Sequence, residues 1–409
     1  MKIAFLLRSF PSISETFVLN QITGLIERGH SVDIYSIYSG DLQTVHPDFK
    51  KYNLLERTYY PPQVPYHPVL RIIKAFYLTI ANYKRLPQLL QSVNIFKYGR
   101  QAASLYLLYL TILFKEKKSY DVIHCHFGLC GLIGVDLVNL QLLEGKILTS
   151  FHGSDVNTYP RQHGDNIYDR LFKQGYLYSF NSDFTARQLA RLQCPKEKMI
   201  KLSIGVNLVK YSFKARTIST KETVKILTVA RLVECKGIEY SIRAIAKIIS
   251  NFPNLCYQIV GDGPLSKSLK YLIEELELGQ QVKLLGAKSQ DEVQQLYASS
   301  QIFILSSVTA ADGSQEGQGL VLQEAQAVGL PVISTSVGGI PEGVLDGKSA
   351  FLVPERDVEA LAERLEYLLN RPEIWAEMGK AGRAHVEAKY DLKHLNDRLV
   401  AIYQGLLAN

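Results

Sequence analysis

Glu316 and Glu324 stand eight positions apart in the run E-G-Q-G-L-V-L-Q-E-A-Q-A-V-G, with Gly317 and Gly319 between them. Leu320, Val321, Ala325 and Val328 recur at helical spacing, so a glycine loop should feed a helix that starts at Leu320. Free N–H groups and roughly half a positive charge at such an end suit a phosphate. A carboxylate cannot bind that phosphate, but it accepts hydrogen bonds from hydroxyls, each worth roughly 1.5–3 kcal/mol. One short element thus joins a phosphate seat to two clamps for a polyol, which is what a nucleotide sugar requires. Two glutamates alone could equally be helix-start acids favoured by the dipole.

Other residues bear on that choice. Arg231 closes the run V-K-I-L-T-V-A, and Lys236 follows five positions later. A diphosphate carries roughly two negative charges, which an Arg, a Lys and a helix end approximately cancel, the guanidinium with bidentate geometry. His152-Gly153-Ser154-Asp155 follows K-I-L-T-S-F, so His152 projects at a strand end, although a lone histidine is often structural. His124-Cys125-His126 puts two imidazoles on one side of a strand. They lack an evident third ligand, and the chain holds no Asp-x-Asp, so no metal is expected. Gly261-Asp262-Gly263-Pro264 has Ser266 where a dinucleotide fingerprint needs its third glycine, and reads as a tight turn beside a ligand. Ser336–Glu342 is a second glycine turn that either lines the cleft or only reverses the chain. Near the start, Ser14 suits a helix N-cap, and Glu15 either holds an acceptor hydroxyl or belongs to simple capping. No Ser/His/Asp triad, P-loop or kinase signature is present.

These residues need elements to hold them. Short apolar runs at 2–7, 31–37, 121–124, 146–151, 176–180 and 199–202 read as strands. Helical patterns lie between them at 14–28, 68–114, 128–140, 166–173 and 184–192. A polar, basic stretch at 207–222 reads as a linker. Strands then recur at 224–230, 255–260, 282–285, 302–305, 331–334 and 350–353, with helices at 238–250, 265–276, 290–298, 320–328 and 358–369. About 35 mostly helical residues close the chain. Alternation of this kind predicts an α/β fold of two doubly wound parallel-sheet domains, 1–207 and 208–390, with a final helix, 391–409, packing back on the first. Ligands of such sheets bind at the carboxyl ends of strands, so two facing domains share a cleft.

Composition agrees. The chain has 409 residues, 47% hydrophobic and 21% charged, as expected of globular domains with large cores. Its five cysteines show no C-x-x-C spacing and read as free thiols in a reducing compartment. The apolar run after Met1 is too short for a signal-peptide core. The longest apolar stretch, 102–114, is below the roughly 20 residues of a membrane span. Residues 61–120 hold nine Lys/Arg and one acid, Glu116, whereas the whole chain is +7. With abundant Tyr, Leu, Ile and Phe, that segment suits an anionic membrane surface. No nucleic-acid reading motif accompanies the charge.

The chain resembles glycosyltransferase family 4, strongest over 224–354. S-E-T-F-V, H-C-H-F-G, F-H-G-S-D and S-V-T-A-A-D-G-S-Q-E-G are similar to segments of bacterial exopolysaccharide glycosyltransferases of the colanic-acid and amylovoran type. The resemblance implies the GT-B fold and a retaining, metal-independent transfer of a hexose, with no cofactor beyond the UDP- or GDP-linked donor. It implies that Arg231 and Lys236 hold the diphosphate, Glu316 the sugar hydroxyls and Glu324 the ribose. Gly317, Gln318, Gly319 and Leu320 supply backbone contacts, with Gly261, Asp262 and Gly286 beside the nucleotide. His152 corresponds to the active-site histidine, and Ser14, Glu15, Thr16 and His126 face the acceptor. Where many members carry paired glycines after the first strand, this chain has Ser12-Ile13-Ser14-Glu15; Gln318 replaces a frequent Phe. The expected acceptor is a saccharide or a lipid-diphosphate-linked oligosaccharide, handled in the cytoplasm or at the inner face of the cytoplasmic membrane. The alternatives are a GT-B sugar phosphorylase and a silent scaffold of a polysaccharide assembly.

Overall fold

A computed structural model describes residues 1–12, 15–40, 47–217 and 223–408. Two sheets account for the strands. The first contains β1 (Lys2–Phe10), β2 (Ser31–Ser39), β3 (Thr58–Tyr59), β4 (Lys118–His126), β5 (Leu143–Phe151), β6 (Leu177–Phe180) and β7 (Met199–Lys201), in the order 3-2-1-4-5-6-7. The second contains β8 (Val224–Val229), β9 (Leu255–Val260), β10 (Val282–Gly286), β11 (Ile302–Leu305), β12 (Val332–Thr335) and β13 (Ala350–Val353), in the order 10-9-8-11-12-13. All recorded pairings are parallel. Strand order reverses between β1 and β4 in one sheet and between β8 and β11 in the other. Those switch points open the crevices where such sheets bind ligands.

Apolar runs buried on both faces explain the parallel sheets. Ala4, Leu6 and Ile123 pack on one face of the first sheet, and Ile3, Phe5 and Val122 on the other. The last helix, Leu392–Ala408, belongs to the second of these cores through Leu399, Ile402 and Tyr403. Its Asn396 sits where a Cβ on Gly24 would lie, so that glycine admits the close helix contact. Val206 and Asp391 form an isolated parallel bridge, bringing the two chain crossings between the domains side by side.

The polar stretch 207–222 differs from a free linker over its described part. Tyr211 is buried, and the Arg216 guanidinium, 3% exposed, donates to the carbonyls of Tyr297, Ala298 and Val328. One long aliphatic cation saturates three carbonyls and anchors the stretch to the second domain. The helical region 68–114 is likewise broken into Pro68–Ala81, Leu86–Ser92, Ile95–Tyr98, Arg100–Ala103 and Tyr106–Leu113. Gly99, at φ +55°, separates the third piece from the fourth. The short strand β3 and the helix Thr158–His163 have no counterpart in the sequence pattern.

Candidate active site

A cavity of about 820 Å³ lies between the carboxyl edges of the two sheets. It is lined by Glu15 after β1, His152 after β5, Arg231 and Lys236 after β8, and Glu316 to Leu320 after β11. Each of these positions follows the carboxyl end of a strand, so two separate folding units supply one set of groups.

The Glu316 loop is held from below. Gly339 donates its N–H to the Glu316 carbonyl at 2.9 Å. A Cβ on Gly338 would lie 2.1 Å from that carbonyl oxygen, and one on Gly339 2.0 Å from the Gly317 oxygen. The turn at 336–342 is therefore the platform under the loop, and it does not line the cavity. Gly319 adopts φ +75° and forms the N-cap of the helix Leu320–Ala327, leaving that helix's first N–H groups without intrahelical partners. Lys236 ends a short 3-10 turn pinned by Ser306, whose hydroxyl donates to the Gly237 carbonyl at 2.6 Å. From there the Lys236 ammonium pairs with the Glu316 carboxylate; the two side chains are 16% and 13% exposed. Arg231 is exposed and, among the described residues, forms no ion pair.

His152 is positioned from three sides. Asp155 accepts hydrogen bonds from the N–H groups of His152 at 3.0 Å, Gly153 at 2.9 Å and Gly128 at 3.2 Å, which fixes the turn. Burial pushes the Asp155 carboxyl up to about 6 while these bonds pull it down. The His152 ring lies between Phe17 and Phe127, with centroids 4.8 and 4.9 Å away. Its Nε2 is 2.9 Å from Nδ1 of His126, and the two rings are 3° from parallel. Burial lowers the His152 pKa to about 3, so the imidazole is neutral near pH 7. A neutral imidazole can donate or accept a proton-bridged contact but does not supply a cation.

Several expected site residues stand elsewhere. His126 is wholly buried behind His152 and cannot meet an acceptor; desolvation drives its pKa well down, so it too is neutral. It orients His152. Thr16 opens the first helix, Thr16–Glu27, outside the cavity lining, and the N-cap is Glu15, whose side chain makes no cap bond. Ser14 lies outside the described residues. Gly261, Asp262 and Gly286 do not line the cavity. The Asp262 carboxylate accepts from Gly263 N–H and Ser266 Oγ, both at 2.7 Å, and its carbonyl accepts from Leu232 N–H at 2.9 Å. Gly286 accepts from Gly261 N–H at 2.9 Å. Together they brace the Arg231 turn from behind. Glu324 is half-buried one helical turn and more beyond the seat, accepting from Tyr297 Oη at 3.1 Å; burial raises its carboxyl to about 7.

One side-chain contact and two cavity-lining residues escaped the sequence pattern. The Gln318 side chain, 4% exposed, donates to the Ile204 carbonyl at 2.9 Å and accepts from its N–H at 2.8 Å, joining the Glu316 loop to the first domain. Arg8 and Arg100 line the cavity from the first domain. A charged residue at the end of the otherwise apolar I-A-F-L-L run is the signal that marks Arg8.

Two family descriptions match the chain: Glycosyltransferase Family 4 over residues 14–210 and Glycosyl transferases group 1 over residues 211–385. The chain is 36% identical to the putative colanic acid biosynthesis glycosyltransferase WcaL of Escherichia coli, covering 99% of this chain and all of that one. It is 35% identical to the amylovoran biosynthesis glycosyltransferase AmsK of Erwinia amylovora, over 98% of each. Among solved structures, Anabaena Alr3699/HepE in complex with UDP and glucose superposes with a TM-score of 0.69 at 17% identity, covering 99% of this chain and all of that one. Sucrose-phosphate synthase from Thermosynechococcus elongatus superposes with a TM-score of 0.71 at 20% identity, over 100% and 99% of the two chains. With two facing parallel-sheet domains and relatives aligned from end to end, the chain belongs to glycosyltransferase family 4 and has the GT-B fold.

Proposed function

We propose that this glycosyltransferase moves a hexose from a nucleotide-diphosphate sugar to a saccharide hydroxyl, with retention of configuration and without a metal, in exopolysaccharide biosynthesis. The observation that carries this reading is the gathering of Arg231, Lys236, Glu316, His152 and a glycine-capped helix end around one cavity. The diphosphate lies against the helix end and the two cations. As the sugar–phosphate bond loosens, Arg231, Lys236 and the helix N–H groups stabilise charge on the leaving group, usually the largest catalytic term. The acceptor hydroxyl attacks from the same face, and its proton passes to the departing diphosphate. Glu316 and the neutral His152 orient the sugar, while Glu324 takes the ribose.

Thermal stabilisation by a panel of UDP- and GDP-sugars, followed by product analysis with the donor that binds, tests the reading. A ligand that binds only the folded state raises the melting temperature. Stabilisation by one donor and an α-linked product from an α-linked donor are expected. An inverted product, or sugar 1-phosphate formed from inorganic phosphate, would overturn it.

The same reading places the enzyme at a membrane surface. No helix among the described residues is long and apolar enough to cross a membrane. Among the described residues, thirteen of the 22 exposed large hydrophobic side chains fall within residues 66–96, including Phe76 at 69% and Phe96 fully exposed. So concentrated an apolar surface favours an interfacial location.

A further inference from the structure

Between the end of β11 and Glu316 the chain makes a detour, residues 306–315, whose tip reaches the first domain. At the root of this strap the N–H and hydroxyl of Thr309 both go to the Glu355 carboxylate after β13, the hydroxyl at 3.0 Å. Arg356 donates to the Thr309 carbonyl at 2.6 Å. Midway, the Ala311 N–H donates to the Glu234 carboxylate at 3.0 Å. At the tip the Gly313 carbonyl accepts from the side chain of Asn157, which is 1% exposed, and the Ser314 and Thr158 hydroxyls meet at 2.9 Å. The strap is tied at root, middle and tip, and both domains hold it.

Gln315 ends the strap beside Glu316, is half-buried and lines the same cavity. Its Nε2 donates to Thr309 Oγ1 at 2.7 Å. That contact settles which way the amide faces. A carboxylate only accepts, so the one hydroxyl proton of Thr309 goes to Glu355, and the Thr309 oxygen can only accept from Gln315. The amide nitrogen is thus held toward the strap. The carbonyl oxygen, which has no hydrogen-bond partner among the described residues, is left to whatever enters the cavity.

We propose that Gln315 is a specificity-determining residue for the donor sugar. Its carbonyl oxygen accepts a hydrogen bond from one sugar hydroxyl, and the fixed amide selects a hydroxyl at that carbon over a keto or carboxylate group. A free glutamine could turn its amide over and meet either kind of group. One locked from behind by Thr309 cannot, so an acceptor-only group at that carbon faces an oxygen with no proton between them. Sites built to bond a hydroxyl reject analogues without it, because their own polar group is then unpaired. Thr309 is the positioning residue. This inference rests on the transferase reading and adds which chemistry the sugar pocket requires.

The test uses the full chain, whichever UDP- or GDP-hexose it consumes, and the 2-, 3-, 4- and 6-deoxy analogues of that donor. At one deoxy position wild type should lose at least about fivefold more in kcat/KM than Gln315→Leu does, the worth of one hydrogen bond. At the other three the two should lose equally. Gln315→Leu should bind UDP or GDP alone within twofold of wild type, with an unaltered melting temperature. Thr309→Val, which frees the amide, should narrow the preference for the parent donor over its keto or carboxylate counterpart at that carbon several-fold, and Thr309→Ser should restore it. Equal losses at all four positions, a matching fall in nucleotide affinity, or a Thr309→Val preference identical to wild type would each overturn the assignment. If the chain consumes no nucleotide sugar, the transferase reading fails and this inference with it; if it consumes one and the losses simply multiply, only Gln315 is wrongly assigned.

Discussion

Lys236 and Glu316 form an ion pair in the lining of the cavity, each less than one-fifth exposed. On the proposed reading, the cation assigned to the diphosphate is here paired with the carboxylate assigned to the sugar. That reading requires donor binding to divide them, with the phosphate drawing on the ammonium and hydroxyls replacing it at the carboxylate. Removing one partner leaves the other partly buried and unpaired, which is costly.

Glu316→Gln therefore should split binding from turnover. Without the carboxylate, Lys236 is free and a nearby negative charge is gone, so UDP or GDP should bind about fivefold tighter, or about 1 kcal/mol. Turnover should fall more than tenfold, about 1.4 kcal/mol of barrier, because the sugar loses a charged acceptor. Lys236→Ala should weaken both. Calorimetry with the nucleotide and a donor-consumption assay check this; parallel losses in Glu316→Gln would refute the exchange of partners.

Glu324 makes stability depend on pH in a defined direction. Its carboxyl rises from an ordinary 4.5 to about 7 in the folded protein because burial disfavours the charge. A raised folded pKa contributes stability that is fully present below the unfolded value and lost as pH climbs through the folded one. Glu324→Gln removes that loss. The variant's melting temperature relative to wild type should be higher at pH 8 than at pH 4, and its nucleotide affinity lower at both. Equal differences at the two pH values would sink the assignment.

The strand-end residues are legible because local signals mark them: Arg231 and His152 each follow a short apolar run, and His152 and Glu316 each adjoin a glycine. Contacts between distant segments leave no such mark. His126 looks like a second cleft histidine by strand alternation, yet the His152 turn and Phe5 close over it. Asp262 looks like a ligand residue, yet its carboxylate is used by the next helix's first turn. The Gln318–Ile204 pair joins residues 114 positions apart, and no periodicity foretells it.

That pair and its neighbouring glycines make the domain contact testable. Gln318→Ala strands the buried Ile204 N–H and carbonyl, a cost of about 1–3 kcal/mol per unsatisfied group. Its melting temperature should drop by several degrees. Gly317→Ala acts differently. Its Cβ would lie 2.2 Å from the His152 carbonyl oxygen in the other domain. The cores are untouched, so the domains should hinge apart while each stays folded. Turnover should fall more than tenfold with a melting temperature close to wild type. Wild-type turnover in Gly317→Ala would show that the two loops need not meet.

The exposed helices decide what kind of membrane contact to expect. Charge alone suggests attraction to anionic lipid, but much of it is engaged. Arg71, Lys74 and Arg85 donate to backbone carbonyls, and Lys117 and Lys118 pair with Glu144 and Glu116. What faces outward is apolar, and burying one large side chain of this kind contributes about 1.5–3 kcal/mol. Phe76→Glu/Phe96→Glu should therefore lower vesicle binding more than tenfold, whereas Lys84→Gln/Lys115→Gln should lower it only a few-fold. Binding should persist on neutral phosphatidylcholine vesicles and survive 0.5 M salt, roughly where a surface charge is screened within a few ångströms. Cosedimentation measures all of this. A wild-type chain that stays in the supernatant with both neutral and anionic vesicles would remove the membrane from the account.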